Sequence, residues 1–291
     1  VRSGCDFKAI YFSDKFHGWA VGSQGEIIAT HDGGRVWRQQ LKLESGVLRA
    51  VSFVDARNGW ATGAVGRVFV TEDGGDTWQE NDAVEQVGLV PRATFLRDVA
   101  FLDKQTGWIV GETKHWPLRF QAEDEEQTTL LLFTEDGGKS WLHHTLQVPG
   151  TLKSTCVVDT QHAYIAGSTL YRTDDAGRSW TDVSGPPVDA VNSVDFFDVA
   201  RGWAVASGSF HRTLDGGANW ERINCPARTY LQSVRFVDAE HGWAVGFAED
   251  RTSPSNGIFS TANGGQDWEE VVLFPVPRDP HTFLAHRFAI A

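Results

Sequence analysis

The sequence predicts an all-β chain, a β-propeller of four-stranded blades, on three observations. A turn box recurs six times: "THDGGRVW" at 30–37, "TEDGGDTW" at 71–78, "TEDGGKSW" at 134–141, "RTDDAGRSW" at 172–180, "RTLDGGANW" at 212–220 and "STANGGQDW" at 260–268. A second signature precedes each box, as in "FSDKFHGWAVG" at 12–22, "FVDARNGWATG" at 53–63, "FLDKQTGWIVG" at 101–111, "FFDVARGWAVA" at 196–206 and "FVDAEHGWAVG" at 236–246, and it survives as "VVDTQHAYIAG" at 157–167. The box tryptophans lie 41, 63, 39, 40 and 48 residues apart, so the unit is about 40 residues long.

One unit, 48–80, supplies the elements in order. A first strand at about 49–54 is followed by the turn "DARNG", a second strand at about 60–64, a Val-Gly turn, a third strand at 67–71, the turn "EDGGD", and Trp78 opening a fourth. Four short strands cannot bury both faces of their sheet alone, so each unit must stack on its neighbours around an axis. In the box, Asp32, Asp73, Asp136, Asp174 or Asp175, and Asp215 are placed to accept backbone N–H bonds inside the turn. The glycines permit the reversal, and the tryptophan packs between sheets. The long intervals carry insertions at 113–129 and 248–256, expected as loops at one corner of their repeats. The repeats run over 7–47, 48–94, 95–150, 151–189, 190–229 and 230–281 of a single domain spanning 1–291, and "TFLAHRFA" at 282–289 matches "TYLQSVRF" at 229–236 as the start of a seventh.

Composition narrows the functions. Thirty-eight acids against 26 Lys and Arg give a net charge of −12, which argues against a nucleic-acid partner. No run of 18 apolar residues marks a spanning helix, and the absence of Met suggests a processed or trimmed chain, leaving secretion open. Cys5, Cys156 and Cys225 form no metal-type pair and allow one disulfide; Cys156, in an apolar strand, reads as a buried free thiol. A single Asp and two glycines offer too few oxygens for calcium, and His143–His144 point to opposite faces of a strand, so no metal and no other cofactor is expected.

The paired motif F-x-D-x-x-x-G-W-A-V-G with T-x-D-G-G-x-x-W resembles the repeat of the Ycf48/HCF136 family of photosystem II assembly and stability factors, over about residues 7 to 270. The box alone also resembles the Asp-box of sialidase-type repeats. The family resemblance implies an extracytoplasmic, noncatalytic binding scaffold, in the thylakoid lumen of a phototroph and otherwise periplasmic or secreted. Its usual ring has seven blades, so seven is the expectation and six the alternative. The second residue of each first strand forms a column, Lys8, Arg49, Arg97, Lys153, Asn192 and Gln232, expected to ring one mouth of the channel. The resemblance implies an arginine-rich patch there, to which Arg49 and Arg97 correspond, binding an acidic or carboxylate-bearing segment of a membrane-protein client. Facing solvent, the two arginines are expected to matter little for stability. Trp116 and Phe120 in the long insertion are a second candidate contact. The alternatives are an Asp-box glycosidase of sialidase or xyloglucanase type and a generic carbohydrate- or protein-binding propeller; against the former, the "FVD" aspartates repeat once per blade, as turn caps do and catalytic pairs do not.

Overall fold

A computed structural model of the chain describes residues 6–114, 127–144, 150–185, 190–225, 229–248 and 256–271. These form six antiparallel four-stranded sheets with strands in sequence order, one per repeat. The first strands, Phe7–Phe12, Leu48–Phe53, Thr94–Phe101, Leu152–Val157, Val191–Phe196 and Thr229–Phe236, pack on one another from blade one to blade six and line the axis. The described residues thus make the six-bladed alternative rather than the seven blades favoured from the resemblance. The repeat fragment at 282–291 lies outside them.

Two aromatic contacts recur, one between neighbouring blades and one within a blade. The Gly-Trp indole stacks flat on the phenylalanine that ends the next first strand: Trp19 on Phe53, Trp60 on Phe101 and Trp203 on Phe236, each at 3.5 Å, with Tyr164 standing in on Phe196 at 3.4 Å. Its N–H donates to the first box glycine of that next blade, at 2.9 Å from Trp19 to Gly74, 3.1 Å from Trp60 to Gly137 and 2.9 Å from Trp203 to Gly264. Within a blade, the box tryptophan meets the same phenylalanine edge-on, as Trp78 meets Phe53 at 5.9 Å. Such pairs contribute about 0.5–1.5 kcal/mol each beyond the area they bury.

The joint from blade three to blade four departs from this rule. Val157 replaces the phenylalanine, so Trp108 tilts onto Phe133 of its own blade at 4.9 Å, and its buried indole nitrogen has no hydrogen-bond partner among the described residues. Trp243, the sixth counterpart, stacks on no phenylalanine among the described residues, and no strand pair of blades six and one makes the close packing of the other joints.

The insertions are partly strand. The second and third strands of blade three extend to Lys114 and from Gln127, and those of blade six to Ala248 and from Asn256. Continuing the hairpin ladder satisfies backbone groups that a loop would leave to solvent. The remainder, with Trp116 and Phe120, lies outside the described residues. Among the described residues no long helix interrupts the strands; the α-helix Ala83–Gln86 has a single turn.

Candidate functional site

The turns of one face are built alike in all six blades. The box threonine, Thr71 in blade two, is buried and accepts the Gly75 N–H at 2.8 Å while donating to Asp73 at 2.8 Å. Asp73 then accepts the Thr77 N–H at 2.9 Å and its hydroxyl at 2.6 Å, which hold its carboxyl at about 2. Asp32, Asp136 and Asp215 take backbone N–H bonds from Val36, Ser140 and Asn219 in the same way. In blade four the role falls to Asp175, whereas Asp174 pairs with Arg172. The threonine's part was not read from the sequence, although the residue recurs in every box.

The "FVD" aspartates are caps as well. Asp55 accepts from Arg57 and Asn58 N–H groups, both at 2.8 Å, and Asp103, Asp198 and Asp238 repeat the pattern. Their oxygens close the turns between the first and second strands.

The basic column is half-buried throughout. Lys153 Nζ donates to Asn192 Oδ1 of the next blade at 2.8 Å, and Asn192 Nδ2 donates to the Leu231 carbonyl of the blade after, also at 2.8 Å. These two therefore meet around the axis. Arg97 turns to its own blade: its guanidinium forks onto Glu112, Nε to Oε2 at 3.0 Å with Nη2 on Oε1, and the Glu112 side chain is only 2% exposed. The expectation that arginine replacement would leave stability unchanged is thus corrected for Arg97, which neutralises a buried carboxylate.

The axial cavity, about 150 Å³, is lined instead by first-strand residues beyond the column, counted here with the column as the second place, among them Tyr11, Ser52, Asp98, Ser154, Ser193 and Arg235. Each first strand is a sheet edge, so alternate N–H groups face the axis unpaired. The preceding blade caps them. Asp98 accepts from Thr155 N at 2.9 Å, Ser154 from Val194 N and Ser193 from Val234 N at 3.4 Å. Two residues on, Ser52 accepts from Phe101 N at 3.4 Å, Cys156 Sγ from Phe196 N at 3.2 Å and Asp195 Oδ2 from Phe236 N at 2.7 Å.

In this fifth-residue ring Tyr11, Cys156, Asp195 and Arg235 break the symmetry. Arg235 Nη1 donates to Asp195 Oδ1 at 2.8 Å, joining blades five and six. Burial raises the Asp195 and Tyr11 pKa values, and Asp195 raises that of Arg235. Burial also pushes the Cys156 thiol up to about 12. Polar residues stand at this place in five of the six first strands, with Ala100 in blade three, and that recurrence was the sequence signal for the ring. Among the described residues no group of three or more His, Cys, Asp or Glu is placed to hold a metal ion, and no helix is long and apolar enough to cross a membrane.

The family model described as photosynthesis system II assembly factor YCF48 matches residues 5–80 and 42–121, across blades one to three. Over these blades the chain is similar to that family. The Ycf48-like fold extends over the whole propeller: a solved structure titled YCF48 bound to D1 peptide superposes with a TM-score of 0.68 at 19% identity, covering 94% of this chain and 84% of that one. YCF48 from Cyanidioschyzon merolae gives 0.66 at 18% identity, with 93% and 86% covered. The GH74 xyloglucanase of Xanthomonas campestris gives 0.65 at 16% identity, with 92% of this chain and 45% of that one covered. At these identities the likeness is one of fold. No curated protein sequence matches the chain.

Proposed function

We propose that this Ycf48-like propeller is a noncatalytic, extracytoplasmic scaffold in photosystem II assembly. It binds an acidic or carboxylate-bearing segment of a membrane-protein client at the channel mouth carrying Lys8, Arg49, Arg97, Lys153, Asn192 and Gln232. The observation that supports it is the lateral bridge from Lys153 to Asn192, which ties column residues of neighbouring blades together in a chain of net charge −12. Arginine would give a client carboxylate bidentate contacts and lysine a more diffuse field. The relative solved with a D1 peptide shares this fold, which favours a photosystem II client. In a phototroph the compartment is the thylakoid lumen.

The test is capture of partners from the native host's membranes, with and without Arg49→Ala. Enrichment of photosystem II subunits that weakens in the variant supports the reading. Capture unaffected by the variant moves the contact to Trp116 and Phe120. The glycosidase reading draws on the xyloglucanase-like fold and on Tyr11, Asp195 and Arg235 meeting in the channel; hydrolysis of xyloglucan or a sialoside, abolished by one carboxylate substitution, would establish it instead.

A further inference from the structure

In blades two to five, residues at the third or fifth place of the first strand spend an oxygen or sulfur on the next blade's edge N–H groups. At the fifth place of blade six stands Arg235, which carries donors only and so can cap nothing. Its guanidinium has one hydrogen bond among the described residues, to Asp195, and its side chain remains 43% exposed where it lines the cavity. Asp195 is itself fixed by the Phe236 N–H, so the guanidinium is held in place from behind. Tyr11 lines the same cavity within electrostatic reach of Arg235, and its hydroxyl makes no hydrogen bond among the described residues. Tyr11 is half-buried, which leaves its hydroxyl open to the cavity. The guanidinium's remaining N–H groups and the Tyr11 hydroxyl thus face one end of the cavity. The third-residue ring carries acceptors, the carboxylate of Asp98 and the hydroxyls of Ser154, Ser193 and Ser233. Two residues of strand separate the rings by about 7 Å.

We propose that the axial cavity binds a small carboxylate carrying a second hydrogen-bond donor, its carboxylate on Arg235 and Tyr11 and its donor end toward Asp98. Because Asp195 offsets the Arg235 charge, recognition rests on the fork of N–H groups and the hydroxyl rather than on net charge. Asp98 disfavours a second anionic group and favours an amine. A volume near 150 Å³ admits about a benzene-sized group, so the ligand is a short amino carboxylate or the end of a peptide chain. This site is separate from the client column and does not depend on it.

The full chain is titrated calorimetrically with γ-aminobutyrate, acetate, triglycine and triglycine amide. Saturable binding of γ-aminobutyrate, with acetate at least about tenfold weaker, identifies a free ligand. Binding of triglycine in preference identifies a chain end. In either case Tyr11→Phe, which leaves the Arg235–Asp195 pair intact, should weaken binding about fivefold, the loss of one hydrogen bond, with an unchanged Tm. Arg235→Lys should weaken it further, because lysine keeps the charge and loses the fork. Absence of saturable binding by every probe, equal binding by Tyr11→Phe, or triglycine amide binding as well as the free acid would overturn the proposal.

Discussion

Val157 and Ala163, cross-strand partners in blade four, together fill the space that a phenylalanine and a glycine share in the other five blades. A Cβ placed on Gly18 would lie 2.6 Å from the Phe12 ring, and one on Gly242 equally close to that of Phe236. The phenylalanine therefore demands the glycine, and blade four changed both.

Val157→Phe alone should destabilise by about 1–3 kcal/mol through overpacking against Ala163. Val157→Phe with Ala163→Gly should recover this and add about 1 kcal/mol, because Trp108 regains the flat stack of its counterparts. Chemical denaturation of the two variants checks it; additive costs in the double variant would refute the coupling.

Ala176 occupies the first box glycine position of blade four at φ 60°, where Gly33 has φ 73°. Ala176→Gly should raise stability by about 0.5–1 kcal/mol by removing a left-handed alanine. A lower denaturation midpoint would contradict this.

The turn carboxyls set the acid limit. Backbone N–H groups of Phe16 and His17 hold Asp14 at about 2, and the Ser179 hydroxyl and N–H hold Asp175 at about 2, as Thr77 does for Asp73. Their folded pKa values lie below the ordinary value of about 4, so their contribution is complete above pH ~4 and lost as pH falls toward 2. Tm should be flat from pH 7 to 4.5 and drop steeply below 4. Thr71→Val, which strands the Gly75 N–H, should cost about 1–3 kcal/mol at pH 7.

Arg97→Ala should cost about 2–3 kcal/mol, below the ~3–5 of a fully buried broken pair because the arginine is partly exposed. Glu112→Gln in the same chain should restore most of it by removing the stranded charge. Thermal unfolding distinguishes this from Arg49→Ala, whose effect should fall on client binding.

Cys156, buried and with its thiol at about 12, should resist alkylation at pH 8 in the native state and react at once in denaturant. Mass spectrometry of the Cys156 peptide reads both. Native labelling at the rate of a free thiol would show that the channel wall opens.

The blades were legible because glycines, turn aspartates and tryptophans are each tied to one local geometry, and a repeat states that geometry six times. The channel was not. Arg97 reads in sequence as a mouth cation, and only the blade's fold brings Glu112, fifteen residues on, against it. Likewise Tyr11, Asp195 and Arg235 stand far apart in the chain, and their meeting depends on which residue of each first strand faces the axis. The missing phenylalanine at Val157 was visible, but its consequence for Trp108 required the stacking between blades.

The bonds from each blade to the next also set a timetable for synthesis. Trp19 reaches Gly74 over 55 residues, Lys153 reaches Asn192 over 39 and Asp195 reaches Phe236 over 41. Contacts between neighbours thus keep roughly one repeat's sequence separation, a low contact order for an all-β chain of this length. As the chain emerges from the ribosome N-terminus first, each blade's indole and channel-facing caps wait only for the following repeat before they are covered. At every stage only the two end faces of the stack are exposed, that of blade one and that of the youngest blade.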